Sequence, residues 1–288
     1  MKGILLAGGS GTRLRPLTTV VCKQLLPVYD KPMVFYPLST LIHAGVTEVL
    51  VVTSPNELGK FQNLLGDGSR IGISIKYIVQ EFPGGLPQGI LLAEEFLQGE
   101  KFWFILGDNL FHGPSFGASL RSHTEGISSG ATVFAYRVMN ASQYGVVNFK
   151  LNSENIDSLE EKPLALDPGW AVPGLYLLDE TAVERSKNLK PSKRQELEII
   201  DLLDSYRLND SLRAIKVSRG NAWFDLGTPD NLLMGAHFVQ AIQTRQGLLI
   251  GSPEEASLHA GNISQEQFRH IAREGSGSAY FELLLGNE

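Results

Sequence analysis

The chain has 288 residues, 43% of them hydrophobic, and a formal net charge of −6 at pH 7. This composition supports a sizeable core in one large domain or two small ones, and the acidic balance argues against a nucleic-acid or membrane-surface partner, since both attract basic faces. No apolar run approaches the roughly 20 residues of a membrane span, no secretory segment precedes the first predicted strand, and a single cysteine, Cys22, fits a reducing compartment. We therefore expect a cytoplasmic globular protein.

A glycine-rich turn follows the first predicted strand, residues 4–7. Three glycines within four positions let backbone N–H groups approach a bulky anion, and the cations that follow supply the charge that a polyphosphate attracts. The first 31 residues carry five Lys or Arg against one acid, which reverses the balance of the whole chain. The turn therefore predicts nucleotide binding. Its residues are Gly8, Gly9, Gly11, Thr12, Arg13, Arg15 and Lys23.

Two familiar phosphate loops do not fit this turn. A Walker A loop ends in Gly-Lys-Ser or Gly-Lys-Thr, and neither ending follows these glycines. A dinucleotide fingerprint G-x-G-x-x-G that starts at Gly9 would need glycine where Leu14 stands. This near match is the only support for an alternative class, a nicotinamide-dependent oxidoreductase, and the missing glycine counts against it.

Strand and helix patterns alternate through the first half of the chain. Pro32 suits the first turn of a helix, and Gly45 suits the end of the same helix. The alternation predicts an α/β fold, with a mainly parallel sheet and helices on both faces. The apolar strand patterns lie at 49–53, 73–79, 102–106 and 131–138, and the helical patterns at 32–44, 87–98 and 114–125.

The second half of the chain changes character. Dense strand signals at 145–150, 155–160 and 171–178 predict a mixed or antiparallel insertion. From about residue 231 onward the apolar residues recur at helical spacing, which predicts a helical tail. Its helices are predicted at 232–244, 265–273 and 279–285.

Motifs spread over nearly the whole chain resemble those of the sugar-1-phosphate nucleotidylyltransferases. The resemblance implies a Rossmann-like nucleotidyltransferase core over residues 1–230, of which about 140–220 binds the sugar. It also implies that the helical segment 231–288 joins subunits into a homo-oligomer, a tetramer as in the family. The motifs are G-G-x-G-T-R-L-x-P at 8–16, K-Q-L-L-P at 23–27, Y-D-K-P-M at 29–33, L-G-D-G-S at 65–69, L-G-D-N at 106–109, Y-G-V-V at 144–147, E-E-K-P at 160–163, E-L-E-I at 196–199 and R-Q-G-L at 245–248.

The resemblance is to members of that family that act on dTTP and glucose 1-phosphate. It implies that a phosphate oxygen of the sugar phosphate attacks the α-phosphorus of dTTP, giving dTDP-glucose and pyrophosphate without a covalent enzyme intermediate. Such a reaction depends on aligning two polyanions and offsetting their charge, so cations and metal matter more than a general base. An open alternative is the same reaction with UTP or with another sugar 1-phosphate, such as an amino sugar.

Two carboxylates are the expected ligands of a catalytic Mg²⁺ ion. Asp108 follows the apolar strand pattern 102–106, at the end of a strand where open α/β sheets bind ligands. Asp225 lies in A-W-F-D-L-G-T, which resembles the second metal segment of the family. Oxygen donors of this kind suit Mg²⁺. Their spacing does not show that they meet, and their pairing is implied by the resemblance alone.

The expected catalytic cations are Arg13, Lys23, Lys162 and Arg194. Arg13 can fork onto phosphate oxygens and Lys23 can act as a mobile point charge, and the resemblance places both on the triphosphate. By the same resemblance Lys162 and Arg194 hold the sugar phosphate. From the residues alone, a lysine beside two glutamates is more often part of a solvated ion-pair cluster.

The remaining site residues are implied by the resemblance and divide into two groups. Base selection falls to Gln80 and Gly85, because a glutamine amide matches the imide edge of thymine or uracil, although it does not separate those two bases. The nucleotide group is Gly8, Gly9, Gly11, Thr12, Arg13, Gln24, Gln80 and Gly85. The sugar-phosphate group is Tyr144, Gly145, Glu161, Lys162, Val172, Arg194 and Trp223.

The chain also departs from the family pattern. Pro173, Ile200 and Leu226 stand where the family usually has Thr, and Gln195 where it has Gly, so these departures bear on the identity of the sugar. His112, Pro114 and the segment 258–261 depart in regions that form the family's regulatory nucleotide site, so we expect weak or altered inhibition by dTDP-rhamnose. A catalytically silent relative is a third reading, but it would be expected to lack Arg13, Asp108 or Asp225, and all three are present.

Overall fold

The computed structural model describes residues 1–9, 11–126, 129–164, 168–275 and 277–286. The strands are β1 Lys2–Ala7, β2 Pro27–Val28, β3 Lys31–Pro32, β4 Glu48–Thr53, β5 Ser74–Val79, β6 Phe102–Leu106, β7 Asn109–His112, β8 Ala131–Val138, β9 Gly145–Phe149, β10 Ile156–Glu161, β11 Gly169–Ala171, β12 Leu175–Leu178, β13 Leu212–Lys216 and β14 Ala222–Asp225. The helices are α1 Phe35–His43, α2 Leu58–Leu65, α3 Leu86–Leu92, α4 Glu94–Leu97, α5 Phe116–Gly126, α6 Ala182–Lys187, α7 Ile199–Arg207, α8 Pro229–Gln246, α9 Pro253–Ala260, α10 Gln265–Glu274 and α11 Ala279–Gly286.

One large sheet organises the chain. Strands β5, β4, β1 and β6 lie side by side and run parallel, and β12 follows antiparallel to β6. The chain moves outward from β1 to β4 and β5 on one side and then returns to β6 on the other side of β1. The connections therefore diverge between β1 and β6, which leaves a crevice at the carboxyl ends of these strands, where open α/β sheets bind ligands.

Side-chain alternation in the central strand explains why helices cover both faces of the sheet. Leu5 faces one core, with residues of α1, α2 and α5, whereas Ile4 and Leu6 face the other, with residues of α3, α4, α6 and α7. Successive residues of a strand point to opposite faces, so an uninterrupted apolar run requires a cover on each side. The predicted fold class, a mainly parallel sheet with helices on both faces, is confirmed.

The predicted mixed or antiparallel insertion extends the same sheet. Strands β9 and β10 pair antiparallel, and β11 joins β9 to β8. The predicted strand over 171–178 is two strands, because Val172, Pro173 and Gly174 interrupt it. The predicted helix over 87–98 is likewise two, α3 and α4.

The predicted placement of Pro32 in the first turn of a helix is wrong. Pro32 pairs with Pro27 in the small β2–β3 ribbon, and α1 begins only at Phe35. The end of the helix is as predicted, since Gly45 follows it with a φ of 87° that favours glycine.

The helical tail packs against the core through a third apolar cluster. Val239 of α8 and Ile250 meet Tyr36 of α1 and Leu110 of β7. The long helix α8 starts at Pro229, where the Thr228 hydroxyl accepts a hydrogen bond from the backbone N–H of Asn231. The predicted boundary at residue 230, between the nucleotidyltransferase core and the helical segment, stays a prediction. No helix among the described residues has the length and apolar character needed to cross a membrane.

Candidate active site

A cleft of about 510 Å³ opens at the crevice between β1 and β6. It draws its walls from the glycine-rich turn, from the loop after β6, from the insertion and from the segment before α7. Gly8 and Gln80 do not line it. The predicted site residues that line it are Gly9, Gly11, Thr12, Arg13, Lys23, Gln24, Gly85, Asp108, Tyr144, Gly145, Glu161, Lys162, Val172, Arg194, Trp223 and Asp225.

The glycine-rich turn is held in place by local contacts. Gly11 has a φ of 59°, and a Cβ at this position would lie 2.9 Å from Cγ2 of Thr18. Its carbonyl accepts hydrogen bonds from the Thr18 hydroxyl at 2.8 Å and from the backbone N–H of Leu14 at 3.0 Å. Any side chain at residue 11 would therefore strain the turn. The turn ends with Arg13, whose side chain is 58% exposed and free to reach a ligand.

Lys23 and Asp108 form a buried ion pair on the floor of the cleft. The ammonium group donates to Oδ2 of Asp108, and the side-chain amide of Asn109 donates to Oδ1 at 3.1 Å. Burial alone would favour the protonated acid, but Lys23 and the hydrogen bond from Asn109 outweigh it and hold the pKa of Asp108 below its ordinary value. Asp108 is thus a carboxylate with both oxygens oriented.

A two-stranded ribbon brings Asp225 to Asp108. Strands β7 and β14 pair antiparallel with Asp225 opposite Asn109, and the backbone N–H of Leu226 donates to the Asp108 carbonyl at 2.9 Å. Burial raises the pKa of Asp225, and the negative charge of Asp108 raises it further. Arg13 lies 3.9 Å from the Asp225 carboxylate. The two acids, distant in sequence, therefore form one coupled pair.

This pair fits a hard divalent cation such as Mg²⁺. Over the described ranges, no group of three or more His, Cys, Asp or Glu side chains is arranged to hold a metal. Two carboxylates with room for water and phosphate oxygens are the ligand set that Mg²⁺ usually takes when it acts on a nucleotide. Burial and the negative charge of Asp108 both raise the pKa of Asp225, so a cation bound between the two carboxylates would favour the charged form of the pair.

Asn109 is a site residue that the sequence reasoning did not single out. Its Oδ1 accepts hydrogen bonds from the Trp223 indole at 2.6 Å and from the backbone N–H of Gly174 at 3.0 Å. These two donors fix the amide so that its NH₂ faces Asp108. Asn109 therefore ties the metal side of the cleft to Trp223, whose ring packs on Tyr144 at 5.0 Å. The sequence does place Asn109 directly after Asp108 in the L-G-D-N motif, but the sequence reasoning assigned a role only to the aspartate.

The two cations that are predicted to hold the sugar phosphate share one carboxylate. Lys162 and Arg194 each lie 3.4 Å from Oε1 of Glu161, and Arg194 also pairs with Glu198 at 2.7 Å. The ion-pair cluster expected from the residues alone is therefore present, and it faces the cleft. Both cations are 48% exposed and therefore accessible from the cleft.

The predicted base-recognition residues lie beside the cleft and partly behind its wall. Gln80 is buried under Gly8, and its amide donates to Gln88 at 2.7 Å. Gly85 has a φ of 97°, and a Cβ there would lie 2.1 Å from the Leu197 carbonyl oxygen. Gln24 carries a buried Oε1 without a hydrogen-bond partner among the described residues. Gln24 itself is one of the residues that line the cleft.

A backbone bridge joins the segment around Gly85 to the segment before α7. Gly85 and Leu197 form an isolated parallel β-bridge, and the backbone N–H of Leu197 donates to the Gly84 carbonyl at 2.9 Å. Residue 197 lies between Arg194 and Glu198, which form the ion pair on the other side. The two halves of the cleft are therefore physically connected.

Gln195 adopts a conformation that favours glycine. Its φ is 62°, and its side chain is exposed beside Arg194.

Gln195→Gly is expected to raise the free energy of unfolding by about 0.5–1 kcal/mol, because the left-handed region costs a residue with a Cβ roughly 1–2 kcal/mol and glycine adopts it freely. Urea unfolding measures the change. The matched control, Gln240→Gly in the exposed face of α8, should lower stability by about 1 kcal/mol. A lower stability for Gln195→Gly would contradict the strain.

Comparison with known proteins is consistent with this site. Residues 2–242 match the Nucleotidyl transferase family. The chain is 48% identical over 285 residues to glucose-1-phosphate thymidylyltransferase of Neisseria meningitidis serogroup A, covering 99% of this chain and 98% of that protein. It is 44% identical over 292 residues to the protein of the same name in Mycobacterium tuberculosis H37Rv, covering all of both chains.

Solved structures share the fold. A Bacillus anthracis protein in complex with a sucrose, described as a glucose-1-phosphate thymidylyltransferase, superposes with a TM-score of 0.75 at 35% identity, covering 83% of this chain and 94% of that one. A UDP-glucose pyrophosphorylase complexed with UDP-glucose gives a TM-score of 0.71 at 25% identity, covering 83% of this chain and 98% of that one. The chain therefore belongs to the nucleotidyl transferase family and, within it, to the family of glucose-1-phosphate thymidylyltransferases.

Proposed function

We propose that this chain transfers a thymidylyl group from dTTP to α-D-glucose 1-phosphate, giving dTDP-glucose and pyrophosphate. The observation that carries the proposal is the single cleft, in which the glycine-rich turn, the Asp108–Asp225 pair and the Lys162–Arg194 pair all meet. The triphosphate fits beside the glycine-rich turn and the Asp108–Asp225 pair. The sugar phosphate fits beside the Lys162–Arg194 pair. The names of the relatives at 44–48% identity support the choice of substrates.

The proposed mechanism follows from where the charges lie. The phosphate of the sugar, held by Lys162 and Arg194, is aimed at the α-phosphorus of the triphosphate. A new oxygen–phosphorus bond forms there, and the bond from the α-phosphorus to the pyrophosphate oxygen breaks, with the electron pair leaving on pyrophosphate. Arg13 and Lys23 face the leaving group and offset its charge. Mg²⁺ held by Asp108 and Asp225 would add charge neutralisation at the same place.

One experiment tests the choice of both the base and the sugar. Pyrophosphate release is measured over every pair of dTTP, UTP, ATP, CTP and GTP with glucose 1-phosphate, galactose 1-phosphate and glucosamine 1-phosphate. The highest kcat/KM is expected for dTTP with glucose 1-phosphate. A preference for UTP, which carries the same base as the UDP-glucose bound to the structural neighbour, or for the amino sugar, would establish the alternative with the reaction unchanged. The absence of pyrophosphate release for every pair would reject the function.

Lys162→Ala is expected to raise the KM for glucose 1-phosphate about tenfold and to leave the KM for dTTP nearly unchanged. The sugar phosphate would lose a counter-ion in a partly dehydrated cleft, whereas the triphosphate is held elsewhere. Steady-state kinetics with each substrate varied in turn measures both constants. Lys150→Ala, at an exposed lysine outside the cleft, is the matched control. A normal sugar-phosphate KM in Lys162→Ala would leave this lysine as an ion-pair partner of Glu161 only.

We also propose the assembly and regulation that the family resemblance implies. The tail from residue 231 would join four copies of the chain, and the protein would act in the cytoplasm. A second cleft of about 400 Å³ is lined by His112 and His259, among others. These histidines depart from the family's regulatory residues, which supports weak or altered inhibition by dTDP-rhamnose.

A further inference from the structure

Gln88 is a half-buried residue that the proposed mechanism does not use, and it follows two residues of the cleft wall, Gly85 and Leu86. It lies in the first turn of α3, and its side-chain oxygen accepts two hydrogen bonds. One comes from the side-chain amide of Gln80 at 2.7 Å, and the other comes from the backbone N–H of Gly84 at 2.8 Å. A Cβ at Gly84 would lie 2.6 Å from this oxygen, so glycine permits the close approach.

The backbone N–H of Gly84 fixes the orientation of both glutamine amides. A backbone N–H only donates, so the Gln88 atom 2.8 Å away must be the oxygen, because an NH₂ group there would face a second donor. The Gln80 atom that lies 2.7 Å from that oxygen must in turn be the NH₂ nitrogen. The side-chain oxygen of Gln80 therefore points away from Gln88.

The side-chain oxygen of Gln80 faces the glycine-rich turn. It lies 2.5 Å from the point where a Cβ at Gly8 would stand, so it occupies space that the missing side chain leaves open. In the part of the chain that the structure describes, nothing donates a hydrogen bond to this oxygen. The next residue of the turn, Gly9, lines the cleft. Gln80 thus holds an oriented acceptor at the edge of the cleft, and a bound molecule can supply the donor.

An oriented oxygen distinguishes between nucleotide bases, whereas a freely rotating amide does not. Thymine and uracil carry a donor, the ring N3–H, and cytosine carries an acceptor at the same ring position. The oxygen of Gln80 matches the N3–H of thymine or uracil and opposes the N3 of cytosine. An amide that is free to rotate could instead present its NH₂ group to cytosine.

We propose that Gln88 is a positioning residue for base selection: it holds the Gln80 amide so that the oxygen, and not the NH₂ group, meets the base. The inference rests on the proposed function, which puts the base of the triphosphate beside Gln80. It applies equally to dTTP and UTP, because both bases carry N3–H. Gln88 acts through Gln80 and does not itself contact the nucleotide.

Gln88→Met tests the positioning role, because methionine has a similar length and its sulfur is only a weak acceptor. With glucose 1-phosphate as the second substrate, the ratio of kcat/KM for dTTP to kcat/KM for dCTP is expected to fall about tenfold. A merely structural role would slow the reaction of both nucleotides alike and leave the ratio unchanged. Gln88→Glu should keep the wild-type ratio, since a carboxylate oxygen still accepts both hydrogen bonds. Gln62→Met, at an exposed glutamine of α2, is the matched control.

A double-mutant cycle with Gln80→Met tests whether Gln88 acts through Gln80. In that background Gln88→Met should cause no further fall in the ratio, because the amide that Gln88 positions is gone. Gln88→Ala, which suits a helix, repeats the test without a side chain that reaches Gln80.

Three results would each overturn the assignment: an unchanged ratio in Gln88→Met and Gln88→Ala, a full additional fall in the double variant, or a ratio in Gln88→Glu as low as in Gln88→Met. Circular dichroism shows whether each variant is folded. Pyrophosphate release by the wild type from dTTP and glucose 1-phosphate separates these failures from a failure of the proposed function.

Discussion

Asp225→Asn and Asp108→Asn are each expected to lower kcat at least about 100-fold. The two carboxylates are the metal-binding pair of the proposed site, and a divalent cation there contributes several kcal/mol to stabilising the charge that develops in the transition state. The amide that replaces either acid carries no charge and binds Mg²⁺ poorly. Asp225→Asn should leave the fold intact, because it removes a charge whose burial and repulsion by Asp108 both raise the pKa of Asp225.

Pyrophosphate release over a titration of Mg²⁺ measures this effect, and calorimetric binding of Mn²⁺ reports on the metal site without requiring turnover. Circular dichroism shows whether each variant is folded. Asp230→Asn is the matched control, because Asp230 is an exposed acid in the first turn of α8 and lies outside the cleft. Wild-type rates for both carboxylate variants at limiting Mg²⁺ would reject the metal assignment.

Lys23→Ala is expected to lower kcat about 100-fold while raising the KM for dTTP much less. In the free protein Lys23 is already close to full charge compensation, because it pairs with Asp108. When Lys23 leaves Asp108 for the phosphate oxygens of dTTP, it gains little binding free energy in the ground state. It gains more in the transition state, because negative charge builds on the departing pyrophosphate. The effect therefore belongs mainly to the transition state.

The measurement is steady-state kinetics with dTTP varied at saturating glucose 1-phosphate and saturating Mg²⁺. Lys76→Ala, at an exposed lysine of β5, controls for the loss of one positive charge. Arg13→Ala should behave like Lys23→Ala, because its exposed guanidinium can reach the same leaving group. An unchanged kcat with weaker dTTP binding would reduce both residues to simple anchors.

The sheet could be predicted where burial on both faces leaves a continuous apolar run. The strands β6 and β8 have the predicted bounds, and β1, β4 and β5 differ by a residue or two. Two missed helices did carry readable signals. Helix α9 follows Ser252 and begins with Pro253 and two acids, and the apolar residues of α7 recur at helical spacing.

Most of the residues that the family resemblance singles out line one cleft, but the arrangement of their side chains could not be predicted from the sequence. Asp108 and Asp225 come together because β7 and β14 pair in a two-stranded ribbon. No local pattern in either short strand indicates that it pairs with the other. The position of Asn109 could not be predicted for the same reason. Its Oδ1 is held by two hydrogen-bond donors that are distant in sequence, the Trp223 indole and the backbone N–H of Gly174. The placement of Gln80 behind Gly8 also depends on packing that the sequence does not display.

The bridge between Gly85 and Leu197 matters for anyone who redesigns this enzyme. Altering the segment around residues 80–88, which the family resemblance assigns to base selection, will also shift the backbone that carries Arg194, because the two segments are hydrogen-bonded to each other. Substitutions on the two sides should then have non-additive effects, as coupled neighbours do. Libraries that vary both segments together will find combinations that stepwise changes on one side would discard.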